Sequence, residues 1–212
     1  MHGFRKFMTD NLSPLDIEKI SKMPCDDVYE FLKNKSMQAT GHPKKLRDKI
    51  VRQYAWTLPC VEYIQTIKKH IITGQPLYDL MAGTGFVAKI LKNNGIQTIS
   101  SDINIITRKN KYNHKPTHDD VEEIDAKEKI KQFENPVNVL LSWVPFKSTL
   151  DYEIAKSLPS NSVLFVVGEN QKGATGSEIF WDYVANDYKK LDLISMPQWE
   201  DMKDMMWVGK KK

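Results

Sequence analysis

Apolar positions fall into two textures along the chain. Through residue 72 they recur at helical spacing. Leu15, Ile17 and Ile20 follow Ser13, a helix cap, and Pro14, suited to a first helical position. Val28, Phe31 and Leu32 mark a second stripe, and Leu46, Ile50 and Val51 a third, with a turn-rich break at residues 38–43 between them. A fourth helix is predicted after Pro59 through Val61, Ile64, Ile67 and Ile71, ending at Thr73-Gly74. From Pro76 short apolar runs of strand length alternate with helical patterns. Strands are expected at 77–80, 96–100, 121–124, 137–141, 163–167, 191–195 and 205–208. Helices are expected at 86–93, 126–133, 152–158 and 177–189. Such alternation predicts a mostly parallel sheet covered on both faces. The last two strands share a short connector and can pair only antiparallel, so one late antiparallel strand is expected.

Length and charge narrow the partners. The chain has 212 residues, 41% hydrophobic and 27% charged, which suits one domain with a small appendage. No apolar run reaches the length of a membrane span, and the start, MHGFRKFMTD, lacks the apolar core of a signal peptide. An intracellular protein, cytoplasmic or nuclear, is expected, without a membrane partner. Cys25 and Cys60 are too few for a zinc quartet or a disulfide framework. The net charge of +4 is carried by residues 1–56, with 11 Lys/Arg against 7 Asp/Glu; the remainder balances at 20 of each. Lys44, Lys45, Arg47, Lys49 and Arg52 concentrate on one predicted helix, and Arg108, Lys109, Lys111 and Lys115 follow the second strand. Such a track suits phosphates, so nucleic acid is the expected partner. His114 and His118 share that basic loop and read as surface residues, since no third metal ligand is suitably spaced.

The chemistry concentrates at strand ends. Asp79-Leu-Met-Ala82-Gly83-Thr84-Gly85 lies at a strand-to-helix junction, where glycine lets backbone turn tightly and approach a ligand. Asp102, at the end of the next strand, is placed to grip a ribose diol. A dinucleotide would bring a pyrophosphate to this helix start, and Asp79 would repel it. S-adenosylmethionine carries an amino group and a sulfonium instead, and both profit from a carboxylate. The pattern therefore favours S-adenosylmethionine as cofactor.

Residues 79–85 resemble the first motif of class I S-adenosylmethionine-dependent methyltransferases, with Met81 where a third glycine is commonest. The resemblance covers residues 56–212. It implies a Rossmann-like α/β fold with a seven-stranded sheet, cofactor contacts at Asp79, Ala82, Gly83, Thr84, Gly85 and Asp102, and methyl transfer as the activity. Asp125-Ala126 is similar to the segment whose acid reaches the adenine amino group; a solvated acidic turn is the other reading. Ser142-Trp143-Val144-Pro145-Phe146 is similar to the fourth motif of amino-nitrogen methyltransferases, with Val144 in the first proline position. It implies that Ser142, Trp143, Pro145 and Phe146 frame the acceptor; the alternative is that the two rings plug the sheet edge. Glu169, after the fifth strand, reads as proton acceptor or amine anchor, or as an acid bonded to backbone amides. Residues 171–177 read as a lid capped by Ser177. Together with Tyr54-Ala-Trp56, Ala174-Thr175-Gly176 and Met196-Pro197-Gln198-Trp199, these segments resemble a group of methyltransferase-like proteins with a tryptophan-proline-proline-tyrosine fourth motif. Residues 28–50 resemble a SAP module, a short helix–loop–helix found on nucleic-acid proteins. The implied division is a helical N-terminal segment, 1–54, and a methyltransferase-like domain, 55–212. Two alternatives stay open: a non-catalytic binding module on the same fold, and an N-terminal segment that only caps the core.

Overall fold

The computed structural model describes residues 18–39, 47–48, 50–51, 54–103, 118–169, 173–198 and 202–212. The expected helix after Pro14 lies mostly outside them, as do Leu46, Lys44, Lys45, Lys49, Arg52, the basic loop with His114, and Trp199. Two helices precede the sheet: α1 (Cys25–Ala39) and α2 (Val61–His70). Then follow β1 (Leu77–Asp79), α3 (Phe86–Asn93), β2 (Thr98–Asp102), β3 (Val121–Glu123), α4 (Ala126–Ile130), β4 (Asn138–Ser142), α5 (Leu150–Ser157), β5 (Val163–Glu169), α6 (Glu178–Asp187), β6 (Tyr188–Ser195) and β7 (Asp204–Lys211).

One seven-stranded sheet runs β3-β2-β1-β4-β5-β7-β6, with β7 alone antiparallel to its neighbours. This is the Rossmann-like architecture the sequence implies. Strand order reverses at β1, whose neighbours are β2 and β4. Connections from β1 and β4 leave toward opposite faces there, and a crevice opens between their ends.

The two faces bury separate cores. On one, Leu140, Phe165, Val167, Met206 and Val208 meet Tyr63 and Ile67 of α2 and Phe86, Val87 and Leu91 of α3. Ile20, Val28, Leu32 and Ile50 belong to the same cluster, so the described part of the N-terminal segment shares a core with the sheet. On the other face, Leu141, Leu164, Val166 and Trp207 pack against Ile154 of α5 and Phe180 and Val184 of α6. Alternating residues of β4, β5 and β7 thus serve opposite cores, as a strand buried on both sides requires.

Two local departures have clear causes. Residues 188 and 189 were expected at the end of a helix but open β6: Tyr188 is buried, donates its hydroxyl to the Ala155 carbonyl at 2.8 Å, and pairs with Lys211. Cys25 and Cys60 are joined in one disulfide, which their separation in sequence conceals. Around it, Glu62 accepts from the Cys25 amide at 2.8 Å and the Val61 amide donates to the Met23 carbonyl at 2.9 Å. Among the described residues no helix is long and apolar enough to cross a membrane.

Candidate active site

The crevice between the ends of β1 and β4 is a cavity of about 610 Å³, within the range that holds a cofactor-sized ligand. Asp79, Ala82, Gly83, Thr84 and Asp102 line one end, and Ser142, Trp143, Pro145 and Phe146 the other. Gly83 and Gly85 both lie at positive φ, +56° and +76°. A side chain at Gly85 would collide with Asp119, its Cβ coming within 3.0 Å of backbone. A Cβ at Gly83 would meet nothing within 4 Å, so its backbone stands open to the cavity. The loop's orientation is fixed from both sides. The Gly83 amide donates to Oδ2 of Asp102 at 2.8 Å, and the buried Thr84 hydroxyl donates to the Tyr54 carbonyl.

Asp79 is the electrostatic centre of this end. It is 1% exposed, and its Oδ1 has no hydrogen-bond partner. Burial first, and the neighbouring Asp102 carboxylate second, push its carboxyl up to about 7, while the Met81 amide pulls it partly back. Asp102 is anchored differently, accepting from the Gly83 amide and, at 2.6 Å, from the Ile103 amide. Two acids thus face one cavity.

The opposite end is aromatic. Trp143 lies at φ +54°, in the left-handed region, and its amide extends the β4–β5 ladder by donating to Val167 at 2.8 Å. Its ring stacks on Trp56 with centroids 4.9 Å apart and planes at 20°. The Arg47 guanidinium stands 5.3 Å from both ring centres. Phe146 is 60% exposed at the mouth. Residues 173–177 were expected to form part of a lid, but their described stretch is tied to this wall. Gly176 donates to Val144 and accepts from Lys147, each at 3.0 Å, and Thr175 bridges Pro145. Ser177 caps α6, as expected, and both its amide and its hydroxyl donate to the buried Asp151 at 2.8 Å.

Four expected residues stand back from the cavity lining. Gly85 turns the loop beneath it. Asp125 caps α4, accepting from the Lys127 amide at 2.7 Å, and Ala126 is buried in the second core. Glu169 accepts from the Ala174 amide at 2.5 Å and the Lys203 amide at 3.3 Å, which matches its amide-bonded reading. His118 is not a plain surface residue: its ring stacks on Tyr54 at 5.4 Å and meets Phe86 edge-on. Arg47, Tyr54, Trp56, Met81 and Met202 also line the cavity. Of these, Tyr54 and Trp56 carried a motif signal in the sequence. Arg47 carried only its charge, and nothing marked Met202.

No protein-family model and no curated protein matches the chain. Solved structures do align with it. An rRNA methylase from Streptococcus thermophilus is 12% identical over 70% of this chain and 93% of its own, with a TM-score of 0.44. A SAM-dependent methyltransferase from Archaeoglobus fulgidus is 12% identical over 86% and 100%, with a TM-score of 0.46. The N-methyltransferase NodS from Bradyrhizobium japonicum is 10% identical over 71% and 94%, with a TM-score of 0.44. At such distances these likenesses assign no chemistry to this chain. What the cleft binds has to be read from its own side chains.

Proposed function

We propose that the cleft binds S-adenosylmethionine and directs its methyl group to an amino nitrogen of an acceptor, with nucleic acid as the favoured carrier. The observation that carries this reading is Asp79. It is a buried carboxyl with a partnerless oxygen, raised by burial and by Asp102, and among the described residues no cation is a cause that offsets the shift. A phosphate-bearing dinucleotide would add negative charge there, whereas an ammonium and a sulfonium supply the missing positive charge. Asp102 would take the ribose hydroxyls, and the open backbone at Gly83 would admit the ligand's close approach.

When bound, the cofactor supplies a methyl whose C–S electron pair leaves with sulfur as the acceptor's lone pair forms the new bond. The chain's own task is alignment: Ser142, Trp143, Pro145 and Phe146 border the acceptor end, and holding reactants in line there is the main source of rate. The acceptor nitrogen loses its proton to solvent at the open, Phe146 side. Support for nucleic acid comes from the charge excess before residue 57.

Isothermal titration with S-adenosylmethionine, S-adenosylhomocysteine and a nicotinamide dinucleotide tests the cofactor. Heat with the first two and none with the third is the expected result; a preference for the dinucleotide would end the proposal. Labelled methyl transfer to cell-extract fractions, digested separately with nuclease and protease, identifies the acceptor. Label that survives nuclease but not protease would exclude nucleic acid, and no transfer at all would leave a binding module.

A further inference from the structure

Asp204, the first residue of β7, drew no attention in the sequence. It is 3% exposed, and β-pairing sets it directly across from Glu169 on the last rung of the β5–β7 ladder. Alternation along β7 puts it on the face of Met206 and Val208, the face over which the N-terminal segment packs. Its Oδ1 is buried without a hydrogen bond, and so is the indole Nε1 of Trp143. The two groups face each other closely enough for the indole to lower the pKa of the carboxyl, and the Arg47 guanidinium acts in the same direction. A buried donor, a buried acceptor and a cation, each from a different element, therefore converge behind the aromatic wall.

Trp143 needs such support. Its backbone is in a region costly for a non-glycine residue, and it persists only where the surroundings dictate it. Its amide is held by β5 and its ring by Trp56, which leaves the indole N–H as the remaining point of control.

We propose that Asp204 is a positioning residue for the acceptor wall: its buried carboxylate, facing the Trp143 indole N–H and the Arg47 guanidinium, fixes the Trp56–Trp143 stack and fastens the N-terminal segment to the cleft. The description of that wall as the acceptor's rests on the methyltransferase reading; the linkage among the three residues does not.

Intrinsic tryptophan emission of the full-length protein, followed against pH, reads this linkage directly. Burial and then the Glu169 carboxylate raise Asp204 to about 7, against the opposing pull of Arg47 and Trp143. Wild type should show an emission step centred there. Asp204→Asn and Trp143→Phe should each abolish it, and Asp79→Asn, which removes a second carboxyl raised to about 7, should leave it. Glu169→Gln should lower the midpoint and Arg47→Gln should raise it, each by about half a pH unit or more. These opposite shifts keep the test decisive should Asp204→Asn fail to fold. A step that survives Asp204→Asn, or a midpoint unmoved by both charge removals, overturns the positioning role. Titration with S-adenosylmethionine separates the two ideas: no binding with the step intact overturns the cofactor reading and leaves the linkage standing.

Discussion

Replacing Asp79 with asparagine should stabilise the ligand-free protein at neutral and higher pH while removing the counter-charge for the proposed cofactor. In the native state its carboxyl titrates at about 7, against 3.8 ordinarily. The folded protein therefore keeps this proton over a range in which the unfolded chain has already lost it. Proton binding is greater in the native state, so stability falls as pH rises from about 4 to about 7 and levels off above. With about 1.4 kcal/mol per pH unit of difference, the loss attributable to Asp79 between about pH 5 and about pH 8 is on the order of 3 kcal/mol. Asparagine keeps an acceptor for the Met81 amide and does not ionise. Urea unfolding of both proteins at those two pH values measures the difference. Wild type should lose about 3 kcal/mol more than Asp79→Asn across the interval, Asp204 contributing equally to both. Parallel losses, within about 0.5 kcal/mol, would mean that Asp79 is ionised normally in the fold. The electrostatic case for a cationic ligand would fall with it.

Linkage also predicts that affinity for S-adenosylmethionine rises with pH up to about 7, approaching tenfold per unit, by calorimetry across a pH series. A flat profile would show that the ligand does not draw on Asp79. Asp102→Ala should weaken cofactor binding by about 1.5–3 kcal/mol, through lost charge-assisted bonds and release of the Gly83 amide; an unchanged affinity would remove it from the site. Asn138, fully buried, accepts from the Ile72 amide at 2.8 Å and turns its own amide toward the Ile72, Gln75 and Pro76 carbonyls. Asn138→Ala should cost about 2–3 kcal/mol in denaturant unfolding by orphaning these groups. Binding to duplex DNA, followed by fluorescence anisotropy, should weaken steeply with salt, each neutralised phosphate adding about 0.9 to the log–log slope; no affinity at low salt would exclude that partner.

Legibility from sequence tracked how local the determining contacts are. The helix at Phe86–Asn93 is where periodicity put it, between a glycine turn and the Asn94-Gly95 stop. Asp79, Gly83 and Asp102 were readable because a strand end, a tight turn and the next strand end impose their residue types within a short span. At Tyr188 the signal was ambiguous, because two lysines suit an exposed helix end and an edge strand equally. Arg47, Trp56 and Asp204 are all far from Trp143 in the chain, and only the β4–β5–β7 pairing and the packing of the N-terminal segment over that face bring them to it. Arg47 looked like one more phosphate-facing cation because charge patterns do not record what a side chain stacks on.

The bridge joining residues 144–147 to 175–176 has a kinetic corollary. Paired backbone on both sides of Pro145 makes the Trp143–Phe146 wall and the start of α6 a single body, secured again by Asp151 at Ser177. Opening that side would require breaking several hydrogen bonds together, a slow event by comparison with side-chain motion. Ligand entry past Pro145 should therefore be slow compared with side-chain rearrangement elsewhere around the cavity.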